Sequence, residues 1–209
     1  MPVSNNHIFK NTLGYRQIII KRIFDIIFST LGLIIFIIPL ILAFIFASLD
    51  TGMNGFYKQE RIGKYGKKFK IFKIRTMKNI KGVDTTITTL NDERITKLGR
   101  VLRKFKIDEL PQLINVLIGT MSFVGPRPDV EGFADKLLGD DRLILNVRPG
   151  ITGPASIKYK NEEKLLLNSN NIEIFNQEIF RDKVMINLKY IKEWTLIKDI
   201  KYISISIFN

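Results

Sequence analysis

The chain contains no cysteine. That excludes a disulfide framework, a thiolate zinc site, an iron–sulfur cluster and a cysteine nucleophile, and it fits a reducing compartment. Histidine is nearly missing too, with His7 the only one. A Ser-His-Asp triad or a multi-histidine metal site is thereby set aside, and catalysis falls to carboxylates, lysines, arginines, tyrosines or hydroxyls. Acidic residues are scarce, 20 against 33 lysines and arginines, for a net charge of +13 in 209 residues. Yet 45% of the residues are hydrophobic and the mean hydropathy is +0.07. Such apolar content excludes a disordered chain, and the length admits one or two domains with a real core.

The charge is concentrated. Residues 1–81 carry 14 basic and 3 acidic side chains, or +11, whereas the other 128 residues carry 19 and 17, or +2. The excess flanks residues 26–49, which hold no charged side chain. As a straight helix this run would reach about 36 Å, against about 30 Å for the hydrocarbon core of a bilayer. It reads as a membrane segment. No other stretch is apolar enough to surround it as a core helix, and it exceeds a signal-peptide h-region. Pro39 interrupts the run, and both flanks are basic. A helix that bends at Pro39 and returns to the same face suits both flanks; a kinked spanning helix strands one basic cluster outside. The residues alone leave these two topologies even.

Beyond residue 50 no second span is long enough, and the remainder reads as one domain lying against the membrane. Residues 55–77 have strand character around Gly63-Lys64-Tyr65-Gly66, which predicts a hairpin. Over residues 92–106, Ile95, Leu98, Leu102 and Phe105 recur at helical spacing, while Arg94, Lys97, Arg100, Arg103, Lys104 and Lys106 make the other faces basic. This predicts an amphipathic helix at the membrane interface held by anionic lipids, or else an ordinary surface helix packed on the core. A C-terminal helix is expected over 180–203, and loops over 81–91 and 161–171.

Residues 106–129 hold the densest chemistry. Asp108, Glu109 and Pro111 read as a helix start capped by Asp108, where backbone N–H groups also favour bound phosphate. Adjacent helical residues diverge by about 100°, so the two carboxylates are expected to take different roles. One could attack phosphorus while the other holds a metal or moves a proton. Taken alone, the pair also reads simply as a cap and a first-turn charge.

The pair is not alone. Gln59-Glu60-Arg61-Ile62-Gly63, Phe69-Lys70-Ile71-Phe72-Lys73-Ile74-Arg75-Thr76-Met77, Arg94-Ile95-Thr96-Lys97-Leu98-Gly99, the block at 108–113, Asn115-Val116-Leu117, Met121-Ser122-Phe123-Val124-Gly125-Pro126-Arg127-Pro128 and Arg148-Pro149-Gly150-Ile151-Thr152-Gly153 follow in order. Over roughly residues 21–202 the chain resembles the bacterial sugar transferases, the monotopic phosphoglycosyl transferases. The resemblance implies transfer of a phosphosugar from a UDP-sugar to polyprenol (undecaprenyl) phosphate with release of UMP, the first membrane step of a bacterial glycan assembly. It implies magnesium, with manganese the substitute. Asp108 matches the attacking aspartate that forms an acyl phosphate, Glu109 its dyad partner, and both are the implied metal contacts. Arg127, presented by its flanking prolines, matches the phosphate-contacting arginine, whose fork suits phosphate oxygens. Arg103, Lys73, Arg75 and Lys160 complete the implied substrate-binding set.

The implied fold is α+β and membrane-associated. It comprises a cytoplasmic segment over 1–21, a re-entrant helix kinked at Pro39 over 22–50, and a catalytic domain with a β-hairpin and interfacial helices over 51–209. The implied place is the cytoplasmic face of the bacterial inner membrane, with anionic lipids, a second copy of the chain and downstream glycosyltransferases as candidate partners. Four features depart from the family pattern: Lys106 where relatives commonly have Ser or Thr, Met53-Asn54 for Gly-Pro, Ile38-Pro39 for Ser-Pro, and Tyr159-Lys160-Asn161 for Gly-Arg-Asn. A basic module binding nucleic acid is disfavoured because the positive excess hugs the apolar segment while the rest is nearly neutral. A non-catalytic scaffold would not require the Asp108-Glu109 pair.

Overall fold

The computed structural model describes residues 13–80, 92–162 and 172–208. His7, most of the segment expected over 1–21, the loop at 81–91 and all but the first two residues of the loop at 161–171 lie outside the described residues.

The apolar run is part of one continuous helix, α1, Tyr15–Thr51, which carries Pro39 inside it and ends at Gly52 in the left-handed region. The expected hairpin follows as strands β1, Phe56–Ile62, and β2, Lys68–Ile74, paired antiparallel from Phe56 opposite Ile74 to Ile62 opposite Lys68. Next come helix α2, Lys97–Lys104, a 3-10 turn, Ile107–Glu109, and helix α3, Gln112–Ile118. Strand β3, Ser122–Val124, pairs in parallel with β4, Gly150–Thr152. A Cβ on Gly150 would lie 2.1 Å from the Gly125 nitrogen, so only glycine lets these backbones meet. Helices α4, Pro154–Lys158, α5, Ile172–Lys192, and α6, Leu196–Phe208, finish the chain. The single C-terminal helix expected over 180–203 is therefore two helices, broken at residues 193–195. Trp194 at the break is buried in the core, and its indole N–H donates to Asp199, which ties the second helix back on the first.

The largest apolar cluster joins Ile62, Val124, Ile144, Val147, Val184, Tyr190 and Trp194. A second seats α1 on the domain through Ala43 and Ala47 against Ile74 and Leu102, with Leu98 alongside. The amphipathic face expected on 92–106 thus divides. Leu98 and Leu102 pack inward, while Val101 and Phe105 face outward. The helix is also shorter than expected, because Ile95 bridges to Met77 in strand fashion and Thr96 caps the start.

The basic half of α1 is anchored as well. Lys21 is buried against Asp199, which also accepts from Tyr190 Oη at 2.6 Å. Arg22 donates to the carbonyls of Val116 and Leu117, both at 2.6 Å, at the end of α3. Asp25 accepts from Ser122 Oγ and the Phe123 N–H on β3. Charges this deep persist only when paired, so these contacts fix the register of α1 on the domain.

Candidate active site

The site grows from the turn after α2. Thr96 Oγ1 accepts from the Gly99 N–H at 2.8 Å, and a Cβ on Gly99 would lie 2.2 Å from the Thr76 carbonyl oxygen. Helix α2 therefore sits directly on residue 76, and Arg103 Nε donates to Thr76 Oγ1 at 2.9 Å. The chain then reverses at Lys106, a non-glycine residue with φ 55 and ψ 21. Asp108 and Glu109 lie in the 3-10 turn that follows, and α3 starts only at Gln112. This corrects the expectation that Asp108 caps a helix. The chain turns tightly first: the Leu110 N–H bonds the Ile107 carbonyl at 3.2 Å in the 3-10 turn, and the α-helix starts only after Pro111, which serves as its N-cap.

Asp108 is 9% exposed. Burial and the neighbouring Glu109 push its carboxyl up to about 6, against the pull of Lys73 and Arg103. Glu109 goes the other way. Burial would raise it, but Arg127 and Lys73 outweigh burial and hold it below the usual range, and Arg127 Nη2 donates to Glu109 Oε1 at 3.1 Å. Lys73, on β2, is lowered to about 8 by burial and by repulsion from Arg127 and Arg61, partly offset by Glu109 and Asp108. The two carboxylates are thus driven apart in acidity, a pattern that marks acid, base or nucleophile roles.

The structure brings Asp108, Glu109, Lys73, Arg103 and Arg127 into one electrostatic cluster, and Arg75 and Lys160 line the same cleft. Arg75 is already engaged: its Nε donates to the Asn54 carbonyl at 2.7 Å, and its guanidinium lies 5.2 Å from the Tyr57 ring. Pro39 lies outside the cleft lining. The cleft measures about 2330 Å³ and has two characters. Its lining is apolar at Phe24, Phe28, Leu31 and Ile35 of α1 and Ile203 and Ile207 of α6, and charged at Lys73, Arg103, Asp108, Glu109 and Arg127. Among the described residues, no group of three or more His, Cys, Asp or Glu side chains is placed to hold a metal by itself.

Sequence reasoning missed several supports. Asn115, fully buried, accepts from the Phe72 N–H at 2.9 Å and donates to the Lys70 carbonyl at 2.8 Å, so it fixes β2, and with it Lys73, against α3. Arg61 and Asp129 were also missed; Asp129 is raised to about 6 by burial, against Lys183, Arg61 and Arg127. Lys21 and Asp25 did leave a signal, as opposite charges one helical turn apart at the edge of an apolar run.

Asp108, buried, and Glu109, half-buried, thus stand among the cations Lys73, Arg103 and Arg127 beside a long apolar helix. The chain belongs to the bacterial sugar transferase family, whose model matches residues 16–209. It is 35% identical over 209 residues to a UDP-glucose:undecaprenyl-phosphate glucose-1-phosphate transferase of Klebsiella pneumoniae, covering 97% of this chain and 42% of that protein. An Escherichia coli K12 protein of the same description is 36% identical over 91% of this chain and 40% of its own length. An undecaprenyl-phosphate galactose phosphotransferase of Salmonella typhimurium is 33% identical over 87% of this chain and 38% of its own length. The chain therefore spans about two fifths of the length of these relatives.

Proposed function

We propose that this chain transfers a phosphosugar from a UDP-sugar to polyprenol phosphate through an aspartyl intermediate on Asp108. The observation that carries the reading is Asp108 itself, a buried carboxylate within reach of the fields of Lys73 and Arg103 and beside Glu109, which Arg127 holds. In the first step an Asp108 oxygen attacks the sugar-linked phosphorus and the bond to the UMP oxygen breaks, so UMP leaves with that electron pair. In the second, an oxygen of polyprenol phosphate attacks the same phosphorus and the Asp108 carboxylate is the leaving group. Arg127 and Arg103 neutralise phosphate charge, and Lys73, poised near 8, gives the departing phosphate a proton or a positive neighbour. The cleft exceeds by severalfold the smaller sites common in enzymes, which suits one cavity that admits a nucleotide sugar and a lipid phosphate.

Two adjacent carboxylates, with no larger ligand cluster among the described residues, fit magnesium or manganese shared with the donor's phosphates, because such ions take one or two carboxylates and complete their shell with phosphate and water. Asp108 and Glu109 would hold the ion, which would supply Lewis-acid neutralisation of the leaving phosphate.

The re-entrant topology draws support from α1. Lys21, Arg22 and Asp25 bind one part of the domain and Ala43 and Ala47 another, although residues 21 and 47 of a straight helix would be about 39 Å apart. Between them Ile34, Ile35, Ile37 and Ile38 are exposed by 54–68%. A helix held at both ends by one water-facing domain, with a bare apolar middle, dips into a bilayer more readily than it crosses one.

The test is incubation of detergent-purified protein with UDP-sugars and magnesium but no acceptor. The expected result is about one equivalent of UMP and a hydroxylamine-labile adduct with the mass of a sugar phosphate, absent in Asp108→Asn. Brisk transfer with acceptor, but neither burst nor adduct without it, would replace this route by direct attack.

A further inference from the structure

We infer that Asp129, Lys183 and Asn187 form the subsite that recognises the hydroxyl groups of the donor's sugar ring, next to the phosphate position at Arg127. The inference deepens the phosphosugar-transfer reading and rests on it.

Placement is the first argument. Asp129 follows Arg127 by two residues, at most about 7 Å of chain, and Arg127 is bonded to Glu109 beside Asp108. The sugar is the donor group bonded directly to the phosphorus that Asp108 would attack, so it must lie one short step from that phosphate. The uridine is separated by a further phosphate. Across the cleft, α5 presents Asn176, Phe180, Lys183 and Asn187 at spacings of four, three and four, which is one helical face, and all four line the cleft.

Unsatisfied hydrogen bonding is the second. Asn187 is 5% exposed, yet its Oδ1 has no hydrogen-bond partner among the described residues, and the Ser156 hydroxyl on the cleft-lining side of α4 is likewise buried without one. Asp129 lines the same cleft within the fields of Lys183, Arg61 and Arg127, and Lys183 Nζ gives two of its three N–H groups to the Glu162 oxygens at 2.6 Å, which leaves the third for a ligand. Buried polar atoms left open, as Asn187 Oδ1 and Ser156 Oγ are, cost stability unless something supplies partners. A hydroxyl both donates and accepts, so adjacent ring hydroxyls match a carboxylate, an amide and an ammonium better than a phosphate or an apolar group does. Relatives that share this family differ in the sugar they are named for, glucose in one case and galactose in another. A subsite at the ring, away from the shared phosphate chemistry, is where such a difference can be written.

The test measures binding with the donor kept intact. In an Asp108→Asn background, titration calorimetry gives the affinity for UMP and for UDP-glucose, UDP-galactose and their N-acetylamino counterparts. Adding Asp129→Asn, or separately Asn187→Leu, is expected to weaken the preferred UDP-sugar by about tenfold or more and leave UMP unchanged. Asn187→Leu should also hold or raise the thermal midpoint, since it removes an unpartnered buried acceptor; a residue with a merely structural role would lower it. Unchanged UDP-sugar affinity in both variants overturns the inference, and so does equal weakening of UMP and every donor, which would assign the cluster to the ribose. Failure of the Asp108→Asn parent and the unmutated protein to bind any UDP-sugar would overturn the phosphosugar-transfer reading itself.

Discussion

Removing the Asp108 charge should stabilise this protein, and only above a definite pH. Asp108 ordinarily titrates at 3.8, but burial first, and Glu109 second, push it up to about 6 in the folded state. Between those values the native state binds more protons than the unfolded chain, so stability falls as pH rises through the window. The lost stability is about 2 pKa units at 1.36 kcal/mol each, or about 3 kcal/mol, and above pH 6 the native protein carries all of it. Asp108→Asn keeps the shape and removes the charge. It should match the unmutated protein near pH 4, gain on it between pH 4 and 6, and keep an advantage of up to about 3 kcal/mol at pH 6.5. Lys73 loses an anionic neighbour in the variant, which offsets part of the gain. The assay is denaturant unfolding in detergent at half-unit pH steps, with chelator present so that no divalent cation screens the site. A variant that is less stable at pH 6.5, or whose difference from the parent does not change with pH, would refute the claim that Asp108 is held ionised against its surroundings.

Lys21→Met leaves Asp199 buried with Tyr190 and Trp194 but no cation, so it should cost about 3–5 kcal/mol, and most of that should return in Lys21→Met/Asp199→Leu, measured by the same unfolding assay. Arg127→Lys keeps the charge but not the fork, and acceptor-free UMP release should fall by tenfold or more; unchanged release would remove Arg127 from phosphate contact. Cysteines placed at the exposed Tyr15 and Tyr65 should both be labelled by a membrane-impermeant reagent only from the cytoplasmic side, and labelling of residue 15 from outside would show that α1 crosses. Chelator should abolish turnover and magnesium restore it, while full activity in excess chelator would take the metal out of the mechanism.

Some of this protein was settled by order along the chain. A charge-free run of 24 residues, a Gly-rich turn between two alternating strands, and two adjacent carboxylates followed by Gly-Pro-Arg-Pro are local facts. The first two predicted α1 and the β1–β2 hairpin, because hydrophobic period and turn chemistry act over a few residues, whereas the candidate site residues were named through the family resemblance that the ordered motifs carry. Other features required distant parts of the chain to meet. Local periodicity predicted an Asp108 cap and one C-terminal helix. Packing placed Asp108 in a 3-10 turn held by a left-handed Lys106, and broke the helix where Trp194 and Asp199 meet. The parallel β3–β4 pair, Asn115 pinning β2, and Lys21 reaching Asp199 join residues between 28 and 178 positions apart, and no local pattern encodes such pairings. The acidity of Asp108 belongs to the same class. The sequence names the carboxylate, but only the folded surroundings, by excluding water and gathering Glu109, Lys73 and Arg103 around it, decide at what pH it carries charge.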